Sequence, residues 1–313
     1  TIANKDAREE KYLRIANSAQ ASLNLYAGPI VRWVLFSMPE GESDVLLVVA
    51  HHAVVDGISW RILIEDIFSV IDQITKGVLS AQLSLPPKST SFKAWAEHLN
   101  ATFAADELAE RFRKQLPYWT HTLRSAGAAS LPVSSARKVS WAEMKSVKVN
   151  LSAAETQSIL TSLCALYHTQ INDVLLTALV IALSETLETP HVSFTLEGHG
   201  REEVLAPKLD ISRTVGWFTS IFPVSIPKPS EIASSIGDTL KFVKEHLRAI
   251  PMRGVGYGLL RFLDPASRGA FVDLSAQQKR VAQIAFNYLG QFESTADAVG
   301  DSTDMNDEAI HLL

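Results

Sequence analysis

The stretch VVAHHAVVDGISW, residues 48–60, joins an apolar run to two adjacent histidines, His51 and His52, and then to Asp56 and Gly57. Upstream, PIVRWVLFSM and DVLLVVAHH are rich in β-branched and aromatic residues and flank PEGES, the pattern of a hairpin. Downstream, Trp60, Leu63, Ile64, Ile67, Phe68, Ile71 and Ile74 recur at helical spacing until Gly77. His51 to Gly57 is therefore read as the loop between a strand end and a helix start. Neighbours on a strand point to opposite faces, so the histidines make a poor chelate pair. No cysteine cluster or helical HExxH supplies other zinc ligands, and a metal site is not expected. A histidine with an ordinary pKa near ~6.5 is suited instead to moving a proton at neutral pH. Asp56 can orient that histidine, or pair with an arginine and hold the loop; Gly57 permits a tight turn before the helix. The plainer alternative is a satisfied core histidine beside an N-capping aspartate.

With 313 residues, 47% of them hydrophobic, the chain can bury one large domain or two lobes. A net charge of −5 and a pI near 6.0 give no electrostatic reason to expect nucleic acid or an anionic membrane as partner. The longest apolar runs, such as VLLTALVIAL, fall short of a membrane span. The charged N-terminus has neither the apolar core of a secretory signal nor an initiator Met, so a soluble piece of a longer protein is expected. The single cysteine, Cys164, cannot form an intrachain disulfide, which suits a reducing cytoplasm.

After the connector QLSLPPKSTS, the segment SFKAWAEHLNATFAADELAERFRKQLPYWTHTL reads as mostly helical. RSAGAASLPVSSARKVS, rich in small residues, marks a lobe boundary and divides the chain into 1–140 and 141–313. In the second part SVKVNL alternates as a strand, and Ser152 with Glu155 forms a capping box. INDVLLTALVIALSETL is apolar nearly all round, as a buried helix is. HVSFTLEGHGRE alternates as a strand with Ser193, Thr195 and Glu197 on one face and Val192, Phe194 and Leu196 on the other. EIASSIGDTLKFVKEHLRAI reads as an amphipathic helix and VAQIAFNYLGQF as another strand. Strands and helices mix in both parts, so the fold class is α/β (α+β) with two similar lobes.

Four further constellations carry chemistry. In EGHGRE, two glycines around His199 beside the strand-end carboxylate Glu197 suggest backbone pressed close to something, with Glu197 lining a cavity. His199 and Arg201 can equally brace a solvated turn. In RTVGWFTSIFPV, the aromatic pair beside Gly216 reads as core or lid. PMRGVGYGLLRFL spaces its glycines as GxGxG after a helix, which is not the phosphate-binding fingerprint. In FNYLGQF, alternation sends Phe286 and Tyr288 one way and Asn287 the other, which leaves open whether Tyr288 reaches a cavity. No GxSxG elbow is present, and Cys164 lies inside a helical pattern, a poor place for a nucleophile.

HHAVVDG resembles the HHxxxDG signature of the chloramphenicol-acetyltransferase-like superfamily, which includes the condensation domains of nonribosomal peptide synthetases. Taken with NDVLLTAL, EGHGRE, RTVGWFTSIFPV, PMRGVGYG and FNYLGQF, the series resembles the epimerization domains of those synthetases, from about Pro29 to Phe292. The resemblance implies two acetyltransferase-like lobes forming a V-shaped cleft with a central tunnel. It implies inversion at Cα of an aminoacyl or peptidyl thioester, tethered to an upstream peptidyl carrier protein among neighbouring synthetase modules. No cofactor of the chain's own is implied, because the phosphopantetheine arm belongs to the carrier. His52 and Glu197 match the catalytic pair and Tyr288 the active-site tyrosine. Asp56 matches the aspartate that orders the loop through an ion pair, and His51 the structural first histidine. Gly57, Trp60, His199, Arg201 and Asn287 fall in the supporting motif positions. Such a reaction needs a base on one face of Cα, an acid on the other, and help for charge on the thioester oxygen.

Two departures stand out. A PIQxWF-like opening motif is missing, and the chain stops soon after FNYLGQF, so truncation at both ends is expected, with exposed sheet edges and apolar surface. Two other functions fit the His motif: a condensation-type acyltransferase, in which Glu197 has no special role, and a non-catalytic remnant that docks a carrier.

Overall fold

A computed structural model describes residues 5–104, 107–127, 140, 143–205, 207–229, 235–277 and 283–290. The N-terminal part packs helix α1 (Lys5–Ala21) on a hairpin of β1 (Val31–Phe36) and β2 (Val45–Ala50). The strands pair antiparallel from Val31↔Ala50 to Phe36↔Val45, the hairpin that the β-branched runs call for. One turn of 3-10 helix, His52–Val54, leads into α2 (Gly57–Thr75), which ends at Gly77, held at φ +82°. The sheet carries exposed apolar side chains, Trp33 and Leu35 among them, and the apolar stripe of α2 is also half open at Phe68, Ile71 and Ile74.

The larger body is built on a three-stranded sheet in the order β4-β3-β5. Strand β3 (His191–Gly198) runs antiparallel to β4 (Ser220–Pro227), from His191↔Pro227 to Gly198↔Ser220, and parallel to the short β5 (Ala285–Phe286). The alternation of β3 decides its packing. Val192, Phe194 and Leu196 join Phe222, Val224 and Ile226 in one apolar face. Against it lie α3 (Phe92–Ala104), α4 (Glu107–Arg113), α5 (Leu116–Gly127), α8 (Ile171–Thr186), α9 (Ile236–Arg248), α10 (Val255–Phe262) and α11 (Pro265–Gln277). Between α5 and α8 come the short α6 (Ala153–Ser158), opened by the expected Ser152–Glu155 capping box, and α7 (Cys164–Tyr167). Trp119 of α5, fully buried, meets Phe222 at 6.1 Å and Tyr257 at 5.4 Å between ring centroids. Arg113 closes α4 onto the start of α11 through a two-pronged pair with buried Asp264, at 3.1 and 2.9 Å. That contact, with hydrogen bonds from Ser267 and Ala266, holds the Asp264 carboxyl at about 2, below its ordinary 3.8.

Two expectations from sequence change here. SVKVNL is not a strand: residues 146–151 pair with no strand among the described residues, and Val147 and Val149 are exposed. Alternation makes a strand only where a neighbour accepts its hydrogen bonds, and none among the described residues does. Of VAQIAFNYLGQF, residues 283–290 are described, and among these Ala285–Phe286 pair with β3. Most of the Ser-rich segment on which the lobe boundary is placed, 128–139, lies outside the described residues. Helices α3 to α5, which precede that segment, share the core of the sheet that follows it.

Candidate active site

Local geometry at the His motif follows from caps. The His51 amide donates to the Ile30 carbonyl (2.8 Å), and its Nδ1 accepts from the Ala53 amide (3.1 Å), capping the 3-10 turn. That bond ties the His51 ring to the turn that it caps. His52 turns the other way, into solvent. Its ring makes no hydrogen bond to any described residue and stands edge-on to the Trp217 indole, 5.7 Å between ring centroids. Asp56 caps α2 by accepting the Ser59 amide (2.7 Å), and the Trp60 amide donates to its carbonyl (3.0 Å). Gly57 differs from its expected role: its φ is not positive and a Cβ there would meet nothing within 4 Å. The turn is made by Asp56, not by a glycine-only backbone.

Asp56, 3% exposed, also ties the two parts of the chain together. Its Oδ2 accepts the Phe218 amide (3.1 Å), and the Arg201 guanidinium reaches both carboxylate oxygens, at 3.3 and 3.4 Å. Arg201 donates further to the carbonyls of Ile211 (3.0 Å) and Thr214 (2.9 Å) and to the Ser59 hydroxyl (3.2 Å). Its guanidinium stacks 3.9 Å from the Phe218 ring. Burial pushes the Arg201 guanidinium below its ordinary value, and Asp56 pulls it back up. Ser59 completes the knot, donating to the Gly216 carbonyl (2.9 Å) and accepting its amide (3.0 Å). Of the two roles open to Asp56, the ion pair with an arginine is the one the fold builds. Gly200, at φ +67°, is required: a Cβ would stand 1.7 Å from the Phe218 carbonyl oxygen.

Glu197 sits near the end of β3 opposite Ile221, partly buried, with no hydrogen-bond or ion-pair partner among the described residues. It shares the face of Thr195 and Ser193, as its alternation indicates; Ser193 bonds Ser225 (3.1 Å) and Thr195 bonds the Ile284 carbonyl (3.3 Å). The next residue, Gly198, pairs with Ser220, three residues beyond the Trp217 that touches His52. The segment 217–220 thus lies between the His52 loop and the Glu197 strand end. Tyr288, half-buried, follows β5, whose Phe286 pairs with Leu196 beside Glu197. Its neighbour Leu289 accepts from Arg61 of α2 (3.0 Å), carrying this segment back toward the His motif. Asn287 is exposed. His199, 44% exposed, accepts the Arg201 amide on Nδ1 (3.0 Å) and faces Glu202 through Nε2 (3.2 Å), so it braces the loop. The sequence does not single out Ser59, and it offers Trp217 and Phe218 only as core or lid. The glycine preceding the aromatic pair was the available signal, since Gly216 is squeezed against Phe92. Among the described residues no three His, Cys, Asp or Glu side chains gather as a metal site, and no single helix is long and apolar enough to cross a membrane.

Known proteins match most of the chain. The family described as "Condensation domain" matches residues 1–309. The chain belongs to the condensation-domain family. This condensation-family domain is 40% identical over 291 residues to surfactin synthase subunit 1 of Bacillus subtilis (strain 168), covering 93% of the chain and 8% of that protein. It is 37% identical over 302 residues to tyrocidine synthase 2 of Brevibacillus parabrevis, covering 96% and 8%. The domain therefore spans a small fraction of the synthetases it matches. Among solved structures, it is similar to the epimerization domain from the third module of tyrocidine synthetase B. The TM-score is 0.77 at 36% identity, over 93% of this chain and 63% of that one. The first condensation domain of the CDA synthetase shares the fold at 18% identity and TM-score 0.57, over 83% and 54%. The mixed α/β fold is thus that of the condensation domains.

Proposed function

We propose that this condensation-family domain epimerises the Cα of an aminoacyl or peptidyl thioester carried on the phosphopantetheine arm of a carrier protein. The observation that carries this reading is Glu197: a partly buried carboxylate, without a partner among the described residues, placed one strand end away from the His52 loop. Peptide-bond formation needs one base; inversion of a carbon needs a proton acceptor on one face and a donor on the other. In this reading one of His52 and Glu197 takes the α-proton, and the electron pair of the broken C–H bond moves onto the thioester oxygen as an enolate. The other group then delivers a proton to the opposite face, and the double bond returns to the carbonyl. Tyr288 supplies a hydrogen bond to the enolate oxygen. Asp56 and Arg201 hold the loop through their ion pair. The greater likeness to an epimerization domain than to a condensation domain supports the same choice.

Family membership favours a second reading, condensation-type acyl transfer, in which His52 assists an amine and Glu197 is idle. Glu197→Gln separates the two. The epimerase reading expects His52→Ala and Glu197→Gln each to slow Cα exchange of a carrier-bound thioester by about a hundredfold or more. Normal exchange in Glu197→Gln overturns it.

A further inference from the structure

The three groups that the proposed reaction uses sit on three separate elements: His52 on the loop before α2, Glu197 on β3 and Tyr288 just after β5. Glu197 and Tyr288 are tied through their strands, where Phe286 pairs with Leu196 and the Thr195 amide donates to the Ile284 carbonyl (2.8 Å). The His52 loop is tied to the segment after Glu197 by the pair of Asp56 and Arg201. The remaining link, from α2 to Tyr288, is made by Arg61, whose guanidinium donates to the Leu289 carbonyl (3.0 Å). We propose that Arg61 is a positioning residue: by holding the chain one residue past Tyr288, it fixes where that phenol stands relative to the His52 loop. This rests on the epimerase reading above and adds to it the residue that aligns its tyrosine.

The Tyr288 hydroxyl makes no hydrogen bond to a described residue, so its place depends on the backbone on either side. On one side Phe286 packs against the core. On the other Leu289 is 56% exposed, and Arg61 holds its carbonyl. Asn287 and Tyr288 lie between these two anchors. Gly290 is fitted to the same contact. Its φ of +86° is in the left-handed region, and a Cβ there would run into the Arg61 guanidinium. A side chain at 290 would displace the arginine, so glycine serves both the turn and the clasp. The bond from Arg61 is exposed and competes with water, so its loss costs the fold little. A misplacement of about 1 Å can nonetheless slow a reaction by about a hundredfold.

Cα deuterium exchange of a carrier-bound L-aminoacyl thioester, followed at varied carrier concentration, tests this. The variants are Arg61→Met, Arg61→Lys, Tyr288→Phe and the double variant Arg61→Met with Tyr288→Phe, each verified as folded by circular dichroism. Arg61→Met is expected to lower kcat about tenfold, with KM and the urea midpoint nearly unchanged, and Arg61→Lys to recover part of that loss. The double variant should be no slower than Tyr288→Phe alone, because Arg61 acts through Tyr288. Wild-type kcat in Arg61→Met or in Tyr288→Phe, losses that multiply in the double variant, or a loss confined to KM overturns the assignment. Absence of exchange from the folded wild-type chain overturns the epimerase reading itself. The clasp is then judged by backbone amide exchange of the peptide spanning 284–290. Faster exchange in Arg61→Met that Arg61→Lys restores supports it, and equal protection in all three proteins ends it.

Discussion

Replacing Arg201 with methionine keeps much of the side-chain volume and removes the charge that faces Asp56. The carboxylate is then left 3% exposed without a cation, and the Ile211 and Thr214 carbonyls lose their donor. Removing one partner of a buried pair costs about 3–5 kcal/mol, chiefly because the other charge stays desolvated. Asp56 keeps two amide donors, Ser59 at 2.7 Å and Phe218 at 3.1 Å, which places the expected loss at the lower end, about 3 kcal/mol. Asp56→Asn leaves the guanidinium alone in the same site, with a loss of similar size. The double variant buries no unpaired charge, so its loss should fall short of the sum by about 2 kcal/mol. Urea unfolding followed by tryptophan fluorescence and circular dichroism reads all four proteins, through midpoint shifts at constant slope. A cost below about 1 kcal/mol for Arg201→Met, or strict additivity, would refute the claim that this pair pins the His motif to the larger body.

Two other perturbations have defined outcomes. Gly200→Ala drives a Cβ into the Phe218 carbonyl, whose amide is bonded to Asp56; a loss of about 3 kcal/mol or more, or failure to fold, is expected from thermal melts, and wild-type stability contradicts the close approach. Asp264 has a folded pKa of about 2 against an ordinary 3.8, so its stabilisation is complete above about pH 4 and is lost as pH falls through 2. The shift corresponds to about 2 kcal/mol, and the stability gap between wild type and Asp264→Asn should narrow by roughly that amount from pH 5 to pH 2. A gap independent of pH refutes the assignment.

The parts legible in the sequence are those set by local pattern. β-branched runs around PEGES specify the hairpin, Asp56 specifies the start of α2, and the alternation of β3 sorts Glu197 from Phe194 before any partner is known. What alternation cannot show is whether a neighbour exists, which is why SVKVNL, with the same pattern, remains unpaired. The site was legible by residue type but not by connection. Arg201 and Asp56 are 145 positions apart and Ser59 and Gly216 157 apart, so only the folded chain brings them together. Trp217 and Phe218 look alike in sequence; the fold sends one to His52 and the other beneath Arg201. The docking of α3–α5 on the later sheet was equally hidden, because it depends on which apolar faces meet.

The most direct test of the account is Cα deuterium incorporation, read by mass spectrometry in heavy water, with the chain added to a carrier protein loaded with an L-aminoacyl thioester and a matched sample lacking it. The account predicts exchange above background together with the appearance of the D-form. A folded chain that binds the loaded carrier and leaves its α-proton in place would contradict it.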